Sequence, residues 1–234
     1  TALAFDLGMA LTAALRRLGP LVAVRSSGTA EDLPGLSFAG QYESILGVDA
    51  DGVDEAVLAC WASLWSERAV AYREHGGVPH TRAAMAVIVQ RMVEPTLGGV
   101  AFTADPVSGT PDIIVESSPE GAEAIVSGRA VPERRTFKRK QLVREATGDV
   151  PPFDPDDIPR SVAHLALAAE DLLECPVDIE WAFADGVLWL LQARPITAGI
   201  ARAAGSDPSE EPATRAATAA RIQPAMTIRR RRTE

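Results

Sequence analysis

Apolar residues recur along the chain at two different spacings, and their alternation predicts both helices and strands. Residues 3–18 carry apolar positions every three or four residues and stop at Gly19-Pro20, which predicts a helix. The same spacing predicts a second helix from 51 to about 74. Short β-branched runs between turn residues predict strands at 84–93 and 98–105. The mixture, with several hairpins and no internal repeat, predicts an α+β fold with mainly antiparallel sheets.

A strong hairpin signal closes this pattern. The run PVDIEWAF is followed by ADG and then by VLWLLQARPI. From residue 198 onward, the chain is rich in Ala, Ser, Pro, Glu and Arg without apolar periodicity, which predicts a disordered tail over 198–234. The folded domain is therefore expected to occupy residues 1–197.

The loop length of this hairpin decides which of its polar side chains share a face. A three-residue loop, Ala184-Asp185-Gly186, is a common closure and is the one we predict. It places Glu180 opposite Leu190, so that Glu180, Gln192 and Arg194 point to the same side. A two-residue turn would send Glu180 and Gln192 to opposite faces.

An acid, an amide and an arginine on one strand face permit two interpretations. Carboxylate and amide oxygens are ligands for Mg²⁺, which usually completes its shell with water and substrate phosphates. An arginine beside such a site could bind phosphate oxygens. The alternative is a solvent-facing edge hairpin, on which these residue types are common. Spacing alone does not choose between them.

A polar loop follows the short β-branched run Leu21 to Val24, which predicts the end of a strand. Arg25 stands at the strand end, and Ser26, Ser27, Gly28 and Thr29 can present hydroxyl and backbone N–H groups to an anion. A capped loop whose Ser and Thr residues form local turns is the simpler interpretation of this segment alone. The presence of a second phosphate-compatible segment in the hairpin favours the binding interpretation.

Composition, charge and motifs argue against several classes of function. The 234 residues carry a net charge of −9, which argues against a general nucleic-acid binder. No apolar run approaches the roughly 18 residues of a membrane span, and no GxxxxGK[ST] loop is present. Cys60 and Cys175 lack partners at metal-binding spacing. We therefore expect a cytoplasmic protein with reduced thiols and no membrane contact.

Four motifs together resemble a known family. The segments VAVRSSGTAEDLPGLSFAGQYES, VIVQRMV with GGVAFTADPVSG, DIEWAF and LLQARPIT resemble the ATP-binding domain of the pyruvate phosphate dikinase and phosphoenolpyruvate synthase family, which rifampicin phosphotransferases share. The resemblance covers residues 21–197. It implies an ATP-grasp-like fold of two α+β subdomains that hold ATP and Mg²⁺.

The resemblance also implies a division of the chain. Residues 1–50 would be the remnant of an incomplete first subdomain with its phosphate loop, and 51–83 a helical connector. Residues 84–197 would form the second subdomain, which carries the metal hairpin.

Site roles follow from the same resemblance. Arg25 would contact the phosphates together with Ser26, Ser27 and Thr29, and Arg194 would stabilise the transferring phosphoryl group. Gly40 and Ser44 would lie in the loop over the nucleotide, Gln90 near the adenine, and Glu180 and Gln192 on Mg²⁺.

Three departures from the family pattern qualify this inference. The family's glycine-rich segment with a phosphate-binding lysine has no counterpart, because no lysine precedes Arg25. Glu120-Gly121-Ala122-Glu123 stands where Gly-Leu-Gly-Glu is usual. Nothing matches the family's phosphorylated histidine domain or its acceptor domain.

Two functions therefore remain open from sequence. The first is the ATP-binding domain of a phosphotransferase that moves a phosphoryl group from ATP toward a small-molecule acceptor or toward a histidine carrier, which could stand on a separately encoded partner chain. The alternative is a truncated, non-catalytic module for nucleotide binding or interaction. Substitution of Glu180 would separate the two.

Overall fold

The computed structural model describes residues 3, 5–29, 42–146, 152–196 and 227–228. Two compact units divide the chain, Thr1–Met92 and Val93–Glu234. The helices of the described part are α1 (Phe5–Leu18), α2 (Val53–Ser63), α3 (Glu67–His75), α4 (Ala122–Val126), α5 (Arg139–Glu145) and α6 (Ile158–Leu173), with a 3₁₀ turn at His80–Arg82. The strands are β1 (Val22–Gly28), β2 (Ser44–Val48), β3 (Met85–Arg91), β4 (Leu97–Phe102), β5 (Ile113–Ser118), β6 (Glu133–Phe137), β7 (Val177–Ala184), β8 (Val187–Pro195) and β9 (Thr227–Ile228).

The first unit contains a three-stranded antiparallel sheet in the order β2-β1-β3. Val22 and Val24 of β1 are fully buried, and they pack with Val57 and Cys60 of α2. Side chains alternate across a strand, so Ala23, Arg25 and Ser27 point to the face opposite this core. The helices therefore cover one face of the sheet and leave Arg25 and Ser27 on the other.

The predicted single helix from 51 to about 74 is wrong, because the structure has two helices there. Helix α2 ends at Ser63, and Ser66 begins α3 as an N-cap whose side chain accepts a hydrogen bond from the backbone N–H of Ala69. A serine hydroxyl satisfies the orphan N–H groups of a helix start, and this favours a new helix over a continued one.

The second unit is built on a six-stranded sheet in the order β6-β5-β4-β7-β8-β9, with every pairing antiparallel. Helix α6 packs against β5 and β7, and its buried Val162 and Leu165 join the core formed by Ile113, Ile179 and Trp181. The predicted α+β class with mainly antiparallel sheets is confirmed. None of the helices in the described part has the length and apolar character needed to span a bilayer.

Two adjacent strands of this sheet approach each other closely at Gly99. A Cβ atom at Gly99 would lie 1.9 Å from the backbone oxygen of Glu116 on β5. The atom in the way belongs to the backbone of a paired strand, so neither strand can yield without moving the sheet. The position therefore requires glycine.

His164 of α6 is a buried titratable group in the same unit. Its side chain is 3% exposed, and its Nε2 atom lies 3.3 Å from Oε2 of Glu145. Burial lowers the pKa of His164 more than the neighbouring Glu145 carboxylate raises it. Its Nδ1 atom is buried with no hydrogen-bond partner in the described part of the chain, so a second proton would have no acceptor there.

We expect Gly99→Ala to lower the free energy of unfolding by about 1–3 kcal/mol, the usual range for overpacking. Gly8→Ala in α1 is the control, because a Cβ there meets no atom within 4 Å. That change should raise stability by about 0.5–1 kcal/mol. Urea unfolding measures both, and equal stability of Gly99→Ala and wild type would contradict the close approach.

We also expect stability to fall as the pH drops from 7.5 to 5.5. Because the pKa of His164 is lowered in the folded state, the unfolded chain binds more protons below about pH 6.5, and protonation favours unfolding. The variant His164→Gln should show a smaller slope of unfolding free energy against pH. Identical slopes for variant and wild type in urea titrations would show that His164 is not the group responsible.

Candidate functional site

The hairpin of β7 and β8 closes with a two-residue turn. Ala184 pairs with Val187, and the two residues between them, Asp185 and Gly186, have φ angles of 52° and 72°. Positive φ at both central positions is the geometry of a type I′ turn, which Asp-Gly favours. The predicted three-residue loop is therefore wrong: Ala184 belongs to the strand.

A β-bulge compensates for the shorter turn. Trp181 pairs with Leu190, but Glu180 pairs with Gln192, so Leu191 is the extra residue on β8. Residues directly opposite each other in an antiparallel pair lie on the same face. The bulge therefore returns Gln192 to the side of Glu180, which a regular two-residue hairpin would not do.

The bulge completes a row of residues that crosses five strands on one sheet face. In register, this polar row runs Arg134, Glu116, Val100, Glu180 and Gln192. The next row on the same face places Asp178 between Phe102 and Arg194. A cavity of about 220 Å³ opens over these rows and is lined by Val100, Phe102, Glu116, Ile125, Val126, Asp178, Ile179, Glu180 and Arg194.

Asp178 fixes the orientation of Arg194. Nε of Arg194 donates to Oδ1 and Oδ2 of Asp178 at 2.8 and 2.9 Å. Both side chains are mostly shielded, with 21% of Asp178 and 28% of Arg194 exposed. This contact holds the guanidinium of Arg194 at the lining of the cavity, and an arginine in such a place can bind a phosphate oxyanion.

Sequence reasoning did not identify Asp178 or Glu116 as site residues. Asp178 carried a signal, since it stands two positions before Glu180 and therefore on the same face. Glu116 carried none, because its place in the row depends on which strands are neighbours. Strand order is a property of the tertiary fold and not of local spacing.

In the first unit, four of the predicted phosphate and adenine residues lie on one sheet face. Arg25 lies directly opposite Ser44 on β2, and Gln90 on β3 lies opposite Ala23, one alternate position from Arg25. Ser27 follows on the same face of β1. This is the face that α2 does not cover.

The remaining predicted residues of this segment behave differently. Ser26 alternates with Arg25 and so points to the other face of β1. The Thr29 hydroxyl accepts from the backbone N–H of Ala84 and donates to the oxygen of Arg82, which ties the end of β1 to the chain before β3. Gly40 lies outside the described residues, as does the predicted disordered tail except for Thr227–Ile228.

The donor set fits a metal ion that is bound together with phosphates. Within the described residues, no group of three or more His, Cys, Asp or Glu side chains is arranged to hold a metal ion. Glu180 and Gln192 nevertheless offer a carboxylate and an amide oxygen from directly opposite positions. Mg²⁺ commonly takes one or two protein ligands and completes its shell with water and substrate phosphates.

The fold and these two polar faces define an α+β domain with groups suited to a metal–phosphate ligand. Comparison with protein families identifies it further. The model for the pyruvate phosphate dikinase AMP/ATP-binding domain matches residues 2–151 and 153–215, and the chain belongs to this family. The resemblance inferred from the motifs is thereby confirmed.

Named relatives agree with this assignment. A probable phosphoenolpyruvate synthase of Methanothermobacter thermautotrophicus is 37% identical over 201 residues, covering 75% of this chain and 29% of the relative. A rifampicin phosphotransferase of Streptomyces sviceus is 39% identical over 219 residues, covering 82% and 25%. The phosphoenolpyruvate synthase of Pyrococcus furiosus is 38% identical over 211 residues, covering 75% and 26%. The chain thus spans less than a third of the length of these relatives.

We expect the contact between Asp178 and Arg194 to appear as an energetic coupling in a double-mutant cycle. Asp178→Asn, Arg194→Gln and the double variant should give a coupling of about 0.5–3 kcal/mol in unfolding free energy. The exposed pair Arg68 and Glu43, at 3.9 Å, is the matched control and should couple by about 1 kcal/mol at most. A coupling energy no larger than that of the control pair would contradict the claim that Asp178 fixes the orientation of Arg194.

Proposed function

We propose that this chain binds ATP with Mg²⁺ and serves as the nucleotide-binding part of a phosphotransferase. The observation that carries the proposal is the bulge, which sets Gln192 directly opposite Glu180 beside an arginine held by Asp178. A carboxylate, an amide oxygen and a guanidinium at one cavity suit a metal-bound triphosphate better than they suit a solvent-facing edge.

Each predicted residue then has a role. Glu180 and Gln192 hold Mg²⁺, which when bound neutralises phosphate charge, and Arg194 stabilises the negative charge on the phosphoryl group during transfer. In the first unit, Arg25 with Ser27 and Ser44 binds phosphate oxygens, and Gln90 lies near the adenine. We also assign Ser26, Thr29 and Gly40 to the segment that binds the nucleotide phosphates.

Phosphoryl transfer depends mainly on positioning and on neutralisation of charge, and it asks little covalent chemistry of the protein. The residues in the cavity supply both, because Asp178 restricts Arg194 while the register restricts Glu180 and Gln192. The name of the rifampicin phosphotransferase supports a small-molecule acceptor. A histidine carrier, including one on a separate chain, is the other acceptor that we propose.

A second candidate is a non-catalytic nucleotide-binding or interaction module, and the observation that favours it is Glu120-Gly121-Ala122-Glu123 in place of the family's usual Gly-Leu-Gly-Glu. Such a module would retain the fold while its affinity for ATP would not depend on the hairpin acid. The two candidates therefore differ in a measurable way at Glu180.

We expect Glu180→Gln to weaken Mg²⁺-dependent ATP binding by at least about 10- to 100-fold, the range that loss of a supporting residue at a metal site produces. Calorimetric titration with ATP and Mg²⁺ measures the change. Asp185→Asn is the matched control, because it removes the same charge from the exposed turn of the same hairpin. Affinity of Glu180→Gln equal to that of wild type would favour the non-catalytic module.

A further inference from the structure

Glu116 lies in the polar row, yet the proposed function gives it no role. It pairs in register with Val100, which in turn pairs with Glu180, so the two acids stand on the same face on either side of one valine. Both acids line the same cavity. The Glu116 side chain is 19% exposed, and its carboxylate therefore meets solvent through this opening.

The carboxylate of Glu116 retains capacity to accept hydrogen bonds. Its hydrogen-bond partner in the described part of the chain is Arg134, whose Nη1 lies 3.4 Å from Oε1. A carboxylate has about four lone-pair sites, so most of them remain available to a ligand. Arg134 is 52% exposed and offsets the charge of Glu116 from the outer side of the row.

The spacing between the two acids suits a reacting group placed between them. Neighbouring strands lie about 4.8 Å apart, so the backbone positions of Glu116 and Glu180 are about 10 Å apart across Val100. A phosphate held at Glu180 would leave the space above Val100 for the group that attacks it. Val100, Ile125 and Val126 contribute apolar surface to the lining of this space.

We propose that Glu116 binds the phosphoryl acceptor by accepting a hydrogen bond from its O–H or N–H group. The inference rests on the proposed function and specifies the acceptor side of the same site. Two classes of acceptor fit, an alcohol and an imidazole, and both are neutral nucleophiles that carry a hydrogen. A carboxylate at this place orients the lone pair of the acceptor toward the phosphate.

The transfer step balances with either acceptor. The lone pair of the acceptor atom forms the bond to phosphorus, and the phosphorus–oxygen bond to the departing nucleotide breaks with its electron pair staying on that oxygen. An alcohol gives its proton to Glu116. An imidazole attacks through its unprotonated nitrogen and keeps the other N–H hydrogen-bonded to Glu116, which disperses the positive charge of the ring.

The test measures binding of two acceptor probes to the chain saturated with Mg²⁺ and a non-hydrolysable ATP analogue. Imidazole and glycerol are titrated separately and followed by the amide signals around Val100 in NMR spectra. Glu116→Gln is compared with Glu133→Gln, a control of equal charge change on the exposed edge strand β6. Arg134→Gln is a second control, because it breaks the same ion pair and spares the acid.

We expect saturable binding of at least one probe to wild type, and at least tenfold weaker binding to Glu116→Gln. Glu133→Gln and Arg134→Gln should bind the probe, and all four proteins should bind the nucleotide alike. Imidazole alone would assign a ring-nitrogen acceptor, and glycerol alone a hydroxyl. The proposal is overturned if neither probe binds. It is also overturned if Glu116→Gln binds the probe as wild type does, because Glu116 would then serve only the ion pair with Arg134. Failure of wild type to bind the nucleotide would instead refute the proposed function beneath it.

Discussion

The register of a single hairpin determines the chemistry that the second unit can perform. The turn at Asp185-Gly186 would by itself place Glu180 and Gln192 on opposite faces of the sheet. One additional residue, Leu191, reverses the alternation of β8 beyond the bulge and unites the two on one face. Bulges often redirect side chains next to functional sites, and here the bulge supplies an oxygen donor opposite an acid.

The rest of the unit keeps this register in place. Gly99 allows β4 to approach β5. Strand β4 in turn pairs with β7 from Leu97 to Phe102, which includes the Val100–Glu180 pair of the polar row. Trp181, next to the bulge, is fully buried on the other face, so a slip by one residue would expose it to the cavity side and bury Glu180. Apolar packing on one face thus specifies polar geometry on the other.

The sequence predicted much of this architecture because most of it is local. The segment after Arg25 was predicted as a loop, whereas β1 continues to Gly28 and its alternation places Arg25 and Ser27 on one face. The hairpin residues Glu180, Gln192 and Arg194 were correctly assigned to one face. The reason given for that face was wrong, because Asp185-Gly186 forms the two-residue turn that Asp-Gly favours, and the bulge at Leu191, which leaves no clear local signal, restores the shared face. Glu116 could not be found at all, because only strand order brings β5 within two strands of β7.

Paramagnetic broadening by Mn²⁺ would test the central claim, that the bulged hairpin holds the metal of a metal–nucleotide complex. NMR spectra of the ¹⁵N-labelled chain would be recorded with Mn²⁺ alone and with Mn²⁺ and ATP. We expect ATP to concentrate the broadening on the amides of Glu180 and Gln192 and to spare Asp185 at the turn. Strong ATP-dependent broadening at another acidic segment, such as Asp154 to Asp157, with sharp signals at the bulge, would contradict it.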